Sequence, residues 1–254
     1  MFKVLIIFGS KSDSEVFNKI IENIKKKNVD FDFRICSAHK TPEFLDEILK
    51  KQYDLIIAGA GLSAALPGVI ASKTNVPVIG IPVSVDFNGL DALLSILQMP
   101  AGIPVLCAPV NASKLIDLNL FLKAYVAVNI VGNKENKVVK KCTEILDKYN
   151  VSYTFSEELD KNKVNLYFFN LNNYKKLKFD TQYLVLNTPI LEKSSAKDAV
   201  KLTKIIKKGL WLGLNNGTNI AIACLQLLHK KETEELRKEF HDKVIQADKE
   251  LGLK

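Results

Sequence analysis

"KVLIIFGSKSDSEVFNKIIENI", residues 3 to 24, begins with a lysine and five consecutive apolar residues and ends in a helical repeat. A run that is apolar on both alternations is a strand covered on both faces, as in the centre of a parallel sheet. Gly9 ends the run and Ser12 or Asp13 is placed to cap a helix. Val16, Ile20, Ile21 and Ile24 then recur at helical spacing.

The same alternation continues through "VDFDFRI", "PEFLDEILKK", "DLIIAGAG", a helix around residues 67 to 72, "VPVIGIPV", "GLDALLSIL" and "IPVLCAP". Strands alternating with helices of this length specify an α/β protein, a three-layer sandwich whose parallel sheet has helices on both faces. Ligands of such sheets bind outside the carboxyl ends of the strands.

Residues 125 to 155 restart the pattern. "YVAVNIVGNKENKVVKKCTEILDKYNVSYTF" places Gly132 on Gly9, and its Val151, Tyr153, Phe155 alternation falls on Val29, Phe31 and Phe33. Later, "LVLNTPI" echoes "VIGIPV" and "NNGTNIAIACLQLL" echoes "VNASKLIDLNLFL". We therefore expect two tandem repeats, residues 1–124 and 125–229, the second degenerate, with a helical tail over 230–254. In the second repeat "GSKSD" has become "GNKEN", "AGAG" has become "NLNN", and about eight residues separate Phe155 from "VNLYFF", too few for a loop and a helix. The tail carries Leu236, Phe240, Val244 and Ile245 on one face, either a surface helix or an arm that packs on a neighbouring subunit.

The chain has 254 residues, 47% of them hydrophobic, enough for a substantial core. No apolar run approaches the roughly 20 residues of a membrane span. The four cysteines lie far apart with no C-x-x-C pair, so no zinc or redox motif is indicated; a cytoplasmic protein with reduced, buried cysteines is expected. Of the net +8, residues 1 to 125 contribute 13 Lys+Arg against 12 Asp+Glu and the remainder 23 against 16. This excess lies in scattered doublets without interleaved aromatics, a solvated face rather than a nucleic-acid stripe.

Three turns fall at carboxyl ends of expected strands: "GSKSD" (9 to 13), "SAHKTP" (37 to 42) and "AGAGLSAALPG" (58 to 68). The first offers a close-approach glycine, two hydroxyls and a carboxylate beside a helix start, suited to a phosphate and a ribose hydroxyl. By itself it is common strand-to-helix punctuation. The second adds His39, an imidazole suited to proton transfer near neutral pH, and the Lys40 ammonium. The third offers bare amides and an alanine-lined wall of Ala58, Ala60, Ala64 and Ala65 that can enclose something small and apolar. Its Gly59-x-Gly61-x-x-Ala64 imitates a dinucleotide fingerprint. However, Pro67-Gly68 interrupts the helix that motif must open, and no acidic partner follows at the expected distance. Neither a nicotinamide, a flavin nor a metal is expected.

Taken in order, "FGSKSD", "SAHKTP", "AGAGLSAALPGVIASKTNVPVIGIPV" and "LDALLSILQMPAGIPV" resemble the PurE family of purine biosynthesis, the N5-carboxyaminoimidazole ribonucleotide mutases, over residues 3 to 122. The resemblance implies a flavodoxin-like domain that assembles from identical subunits, works without cofactor or metal, and takes a small nucleotide substrate. It implies His39 as general acid/base. Gly9, Ser10, Ser12, Asp13, Ser37, Ala38, Lys40, Gly59, Ala60, Gly61, Ala64, Ala65 and Leu66 would surround the substrate, with Ser10 and Asp13 on ribose and phosphate. Lys40 stands where mutases usually have arginine, and Ala65 where they have histidine in "HLPG". "SAHK" is typical of the related carboxylases, which use free CO2, whereas "QMPAGIPV" and "AGAGLS" are mutase-like. A carboxylase and a catalytically silent assembly subunit are the alternatives. Two repeats per chain imply a homo-oligomer of four chains where single-domain relatives use eight, with no nucleic-acid or membrane partner.

Overall fold

The computed structural model describes residues 2–112, 117–174, 182–229 and 231–252. The first half runs β1 (Lys3–Phe8), α1 (Ser14–Lys26), β2 (Asp30–Ile35), α2 (Pro42–Leu49), β3 (Leu55–Ala60), α3 (Leu66–Lys73), β4 (Val78–Pro82), α4 (Leu90–Leu97) and β5 (Leu106–Cys107). The second runs β6 (Val128–Val131), α5 (Lys137–Lys148), β7 (Tyr153–Phe155), β8 (Val164–Asn170), β9 (Val185–Ile190), α6 (Ala196–Ile205), β10 (Leu210–Trp211) and α7 (Gly217–Leu227), and α8 (Thr233–Leu251) follows.

All ten strands among the described residues form one sheet in the order β2-β1-β3-β4-β5-β10-β9-β8-β6-β7. Read outward from the centre, each half repeats the same succession, and within each half every pairing is parallel. The halves meet through the antiparallel pair β5–β10, Cys107 opposite Trp211. Direction therefore reverses at mid-sheet, and the carboxyl ends of the two half-sheets lie on opposite edges. The expected parallel sheet is thus corrected at this one joint.

The two faces of β1 show why the sheet has three layers. Val4, Ile6 and Phe8 join a core closed by Val16, Phe17, Ile20 and Ile24 of α1, whereas Leu5 and Ile7 join one closed by α2, α3 and α4. Each core continues into the second half, through α5 and α7 on one face and α6 on the other. Both cores thus run continuously from one half of the chain into the other. The correspondence expected between "VNASKLIDLNLFL" and "NNGTNIAIACLQLL" falls partly on residues 113–116, outside the described residues.

Two local expectations change. Of the two expected caps, Asp13 occupies the N-cap position of α1, but without a side-chain capping bond; that bond forms earlier, where Ser10 Oγ accepts from Ser12 N at 3.2 Å in a short 3-10 turn. The helix α3 starts at Leu66 and runs through Pro67 and Gly68, because proline in a first turn lacks only an N–H that has no helical partner. All four cysteines are buried free thiols, and among the described residues no helix is long and apolar enough to cross a membrane.

The turn 98–105 lies at the joint between the halves. Asn219 of α7 is 1% exposed; its Oδ1 accepts from Gly102 N at 2.9 Å and its Nδ2 donates to Pro100 O at 2.9 Å and Ile103 O at 3.3 Å. Asn216 Nδ2 donates to Met99 O at 3.1 Å, and Leu214 N donates to Gln98 Oε1 at 3.2 Å. Gly102 has φ +98°, and a Cβ there would lie 2.9 Å from the Phe240 ring of α8. Both backbone and packing thus require glycine at this position.

Candidate active site

The order β2-β1-β3 brings the three turns of interest together. Cys36 N donates to Phe8 O at 2.9 Å and Gly9 N to Gly59 O at 3.0 Å, so the chain leaves three adjacent strands side by side. The β1–β3 boundary is the switch point of this strand order, where the crossovers depart in opposite directions and open a crevice.

Gly9 has room for a Cβ, which would make only ordinary contacts with Ala60 Cβ and Gly59 O at 3.8 and 3.9 Å. Packing within the protein therefore does not demand glycine here, whereas a ligand lying against the backbone would. Ser10 and Ser12 are exposed and joined by a 2.8 Å hydroxyl pair. Asp13 is only 6% exposed, and Ser12 Oγ donates to its Oδ1 at a long 3.2 Å. Burial pushes the Asp13 carboxyl above the usual carboxylate value, against the opposing hydrogen bonds from Ser12 and the Ser10 backbone. A buried carboxylate with spare acceptor capacity suits ligand hydroxyls.

In the second turn Thr41 ties the loop into a closed ring. Its N donates to Ser37 O at 2.9 Å, and its Oγ1 accepts from Ser37 N at 3.1 Å. Lys40 N donates to Ser37 Oγ at 3.3 Å. Ser37 and Ala38 are half-buried, while His39 and Lys40 project outward and are exposed. Neither side chain, nor that of Lys11, makes a hydrogen bond or ion pair with the described residues. The two turns thus expose one imidazole and two ammonium groups at the carboxyl edge of the half-sheet, none of them engaged in holding the structure together.

The third turn divides between core and surface. A Cβ on Gly59 would fall 2.0 Å from the Phe8 ring, so its glycine is needed by the packing of β1 on β3. Ala58, Ala60, Ala64 and Leu66 are all at most 8% exposed and belong to a core cluster. Gly61, Leu62, Ser63 and Ala65 reach the surface. The alanine wall is thereby corrected to a short rim, because the α3 side of β3 buries its small residues against the sheet. Leu62 holds φ +53° while 51% exposed, backbone strain of the kind concentrated at ligand-binding turns.

A fourth turn, over 83–89, escaped the sequence reading. Val83 N donates to Ala60 O at 2.9 Å, and a Cβ on Gly61 would meet the Val85 side chain at 2.5 Å, so this turn abuts the third. Phe87, Asn88 and Gly89 have φ of 48°, 53° and 75°, and Phe87 is 77% exposed. The Asn88-Gly89 dipeptide was the available signal.

The corresponding edge of the second half consumes its polar groups internally. Asn136 Oδ1 accepts from Val138 N, Asn133 Oδ1 from Glu135 N, and Asn170 Oδ1 from Asn172 N. Asn215 exchanges two bonds with Leu191. No helix stands between β7 and β8, where α2 stands in the first half.

A family model described as AIR carboxylase matches residues 3–152. The N5-carboxyaminoimidazole ribonucleotide mutase of Methanocaldococcus jannaschii is 40% identical over 156 residues, 61% of this chain and 95% of that protein. The mutase of Saccharolobus solfataricus is 42% identical over 146 residues, 56% of this chain and 88% of its own. The mutase of Bacillus subtilis is 38% identical over 144 residues, 55% and 86% of the two chains. Among solved structures, Treponema denticola PurE aligns with a TM-score of 0.44 at 32% identity, over 48% of this chain and 81% of that one.

Proposed function

The chain belongs to the AIR carboxylase family, and from that membership we propose that it converts N5-carboxyaminoimidazole ribonucleotide to 4-carboxy-5-aminoimidazole ribonucleotide in purine biosynthesis. The observation that carries this reading is 40% identity extending over 95% of a protein named as that mutase. Similarity of this extent favours the mutase over a carboxylase using free CO2.

In the chemistry proposed, the N–carboxylate bond of the carbamate breaks, CO2 departs and His39 gives a proton to the exocyclic nitrogen. The imidazole C4 then attacks the retained CO2, and His39 takes the proton that C4 loses. One imidazole thus ends the cycle in the state in which it began. Water would compete for the liberated CO2, so a closed site is required. Asp13 and Ser10, with Ser12, receive the ribose and phosphate, and Gly9 lets the ligand approach the backbone. Lys40 supplies a point charge to the phosphate without the paired donors of an arginine. Ser37, Ala38, Gly61 and Ala65 line the opening, whereas Gly59, Ala60, Ala64 and Leu66 act by shaping it from within.

The second half, from 125 to 229, is proposed to be a repeat without a site, in which the joint β5–β10 and the Asn219 clasp do what contacts between separate subunits otherwise do. Four such chains would then give four sites in a cytoplasmic homo-oligomer. The family match runs past residue 124 to 152, so this boundary rests on the repeated strand order.

The test is a product assay that compares the carbamate with aminoimidazole ribonucleotide plus bicarbonate. Turnover of the carbamate is expected. Turnover only with aminoimidazole ribonucleotide and bicarbonate would make the protein a carboxylase, and no turnover of either would make it an assembly subunit.

A further inference from the structure

The helix α8 outruns the body it packs on. Its first two turns are anchored: Thr233 and Leu236 are buried, Arg237 reaches the end of α3, Glu239 pairs with Lys148 of α5, and Phe240 covers Gly102. From residue 241 to residue 252 every residue is exposed. That free part is not polar throughout, since Val244 is 69% and Leu251 78% exposed. Together with Phe240 and Ala247 they fall at spacings of four, three and four residues, the alternation of a two-helix seam. Beneath the overhang lies an open cleft of about 740 Å³ whose walls include Pro100, Ala101, Ile103, Phe240 and Val244.

We propose that this seam is an interface with a second copy of the chain, formed by two α8 helices packed antiparallel across a two-fold axis. One register brings the apolar seam and the flanking charges into agreement, with Ile245 outside it on the cleft side. With Phe240 opposite Leu251 of the other copy, Val244 lies opposite Ala247, and a large residue meets a large one only at the ends, where the cleft leaves room. The flanking charges then match: Lys243 faces Glu250 and His241 faces Asp248, each pair occurring twice by symmetry. The paired segment is about 16 Å long at 1.5 Å per residue, so the last turn of each helix enters the cleft beside Phe240 of the other. One local contact competes with it, since His241 Nδ1 lies 3.1 Å from Asp242 Oδ1 and must leave that carboxylate to meet Asp248; the others do not. Lys243 Nζ lies 5.5 Å from the Phe240 ring and Gln246 donates to Glu250 at 2.9 Å, both on the helix surface beside the seam.

The charges also exclude the parallel arrangement as an equal alternative. There Lys243 would face Asp248, and Glu250 would have no partner within the helix. A charge exchange separates the two. In sedimentation equilibrium at low salt, Val244→Asp is expected to halve the mass of the assembly, and Lys243→Glu to weaken association by about fivefold, since it sets two like-charged pairs in place. Lys243→Glu combined with Glu250→Lys is expected to restore wild-type association within twofold. Val244 is exposed in the single chain, so its substitution leaves the fold intact, checked by an unchanged unfolding midpoint under dissociating conditions. A wild-type mass of one chain, or a mass unaffected by Val244→Asp, would overturn the interface. A Lys243→Glu defect that Glu250→Lys fails to repair would overturn the antiparallel register.

Discussion

Asn219 accepts from Gly102 N at 2.9 Å and returns donors to the carbonyls of Pro100 and Ile103, so one side chain of the second half closes a turn 117 residues away. The turn carries Met99, whose thioether rests where a Cβ of Gly68 would be, in the first turns of α3. A link thus runs from α7 to the helix that the third turn launches. Asn219→Leu strands a buried N–H and several carbonyls, and a loss of about 2–3 kcal/mol is expected in denaturant unfolding, the cost of leaving such groups unpaired. Asn219→Asp is expected to cost at least as much, because a carboxylate keeps the acceptor and loses the donors. A loss under 0.5 kcal/mol in both would show the joint to be held by β5–β10 alone.

His39 is expected to be replaceable without structural cost. It is exposed and unpaired with the described residues, so His39→Asn should leave the unfolding midpoint unchanged while turnover falls by at least about 10²-fold, the typical share of an acid/base group. Lys40→Ala should instead raise the KM and flatten its dependence on ionic strength, as removal of a screened charge does. Near-wild-type turnover in His39→Asn would assign the proton transfer to another group.

Asp13 should trade stability for binding. Its folded pKa is raised above the ordinary 3.8 by burial, so the folded chain binds its proton more tightly than the unfolded chain does. Stability without substrate therefore falls as pH rises through the interval between the two values, and the cost persists above it. Asp13→Asn removes that cost. The variant is expected to match wild type below pH 3.8 and to be the more stable form at neutrality, while binding substrate less well. Urea unfolding across this range checks the sign, and a variant less stable at pH 7 than wild type would contradict it.

Leu62 holds a left-handed backbone with its side chain half in solvent. That conformation costs a non-glycine residue roughly 1–2 kcal/mol. Leu62→Gly removes the strain while adding unfolded-state entropy, so a net change within about 1 kcal/mol is expected. Leu62→Val, branched at Cβ, should be clearly more destabilising than Leu62→Gly. If the leucine is strained in order to shape the substrate rim, Leu62→Gly will raise the KM despite its intact fold.

The unbroken apolar run of β1 announced a strand buried on both faces, and the turn positions followed because parallel strands place all their carboxyl ends on one edge. The reversal at Cys107–Trp211 was not legible. It depends on the two short strands that end the half-sheets finding each other at mid-sheet, and "IPVLCAP" contributes only Leu106 and Cys107 to the ladder. In the site, Gly9 and Gly59 look alike in sequence, yet a Cβ would make only ordinary contacts at the first and would run into a phenyl ring at the second. Alternation cannot tell a glycine kept for a ligand from one kept for a neighbour's side chain, which depends on where Phe8 points. Similarly, the alanines of the third turn carry the same composition whether they face a crevice or a core.

The attachment of α8 rests on Arg237. Its guanidinium donates to the carbonyls of Ala71 and Ser72 at 2.8 Å, to Thr74 O, and to Asn75 Oδ1 at 2.8 Å, so one side chain serves the unsatisfied carbonyls at the C-terminal end of α3. A cation there also meets the negative end of the helix dipole, which offsets part of the cost of burying the charge, although Nε is buried without a partner. Lysine offers the charge but not the planar fork, and its donors radiate from one point. Arg237→Lys is therefore expected to retain part of the attachment, and Arg237→Ala to lose both the charge and the carbonyl contacts, with a stability loss of about 2–3 kcal/mol. The loss should be local: amide exchange should accelerate over residues 233–240 and at the end of α3 while the strands of the central sheet stay protected. Equal acceleration in the sheet would mean that α8 is integral to the core, and none in α3 would mean that Leu236 and Phe240 hold the helix without Arg237.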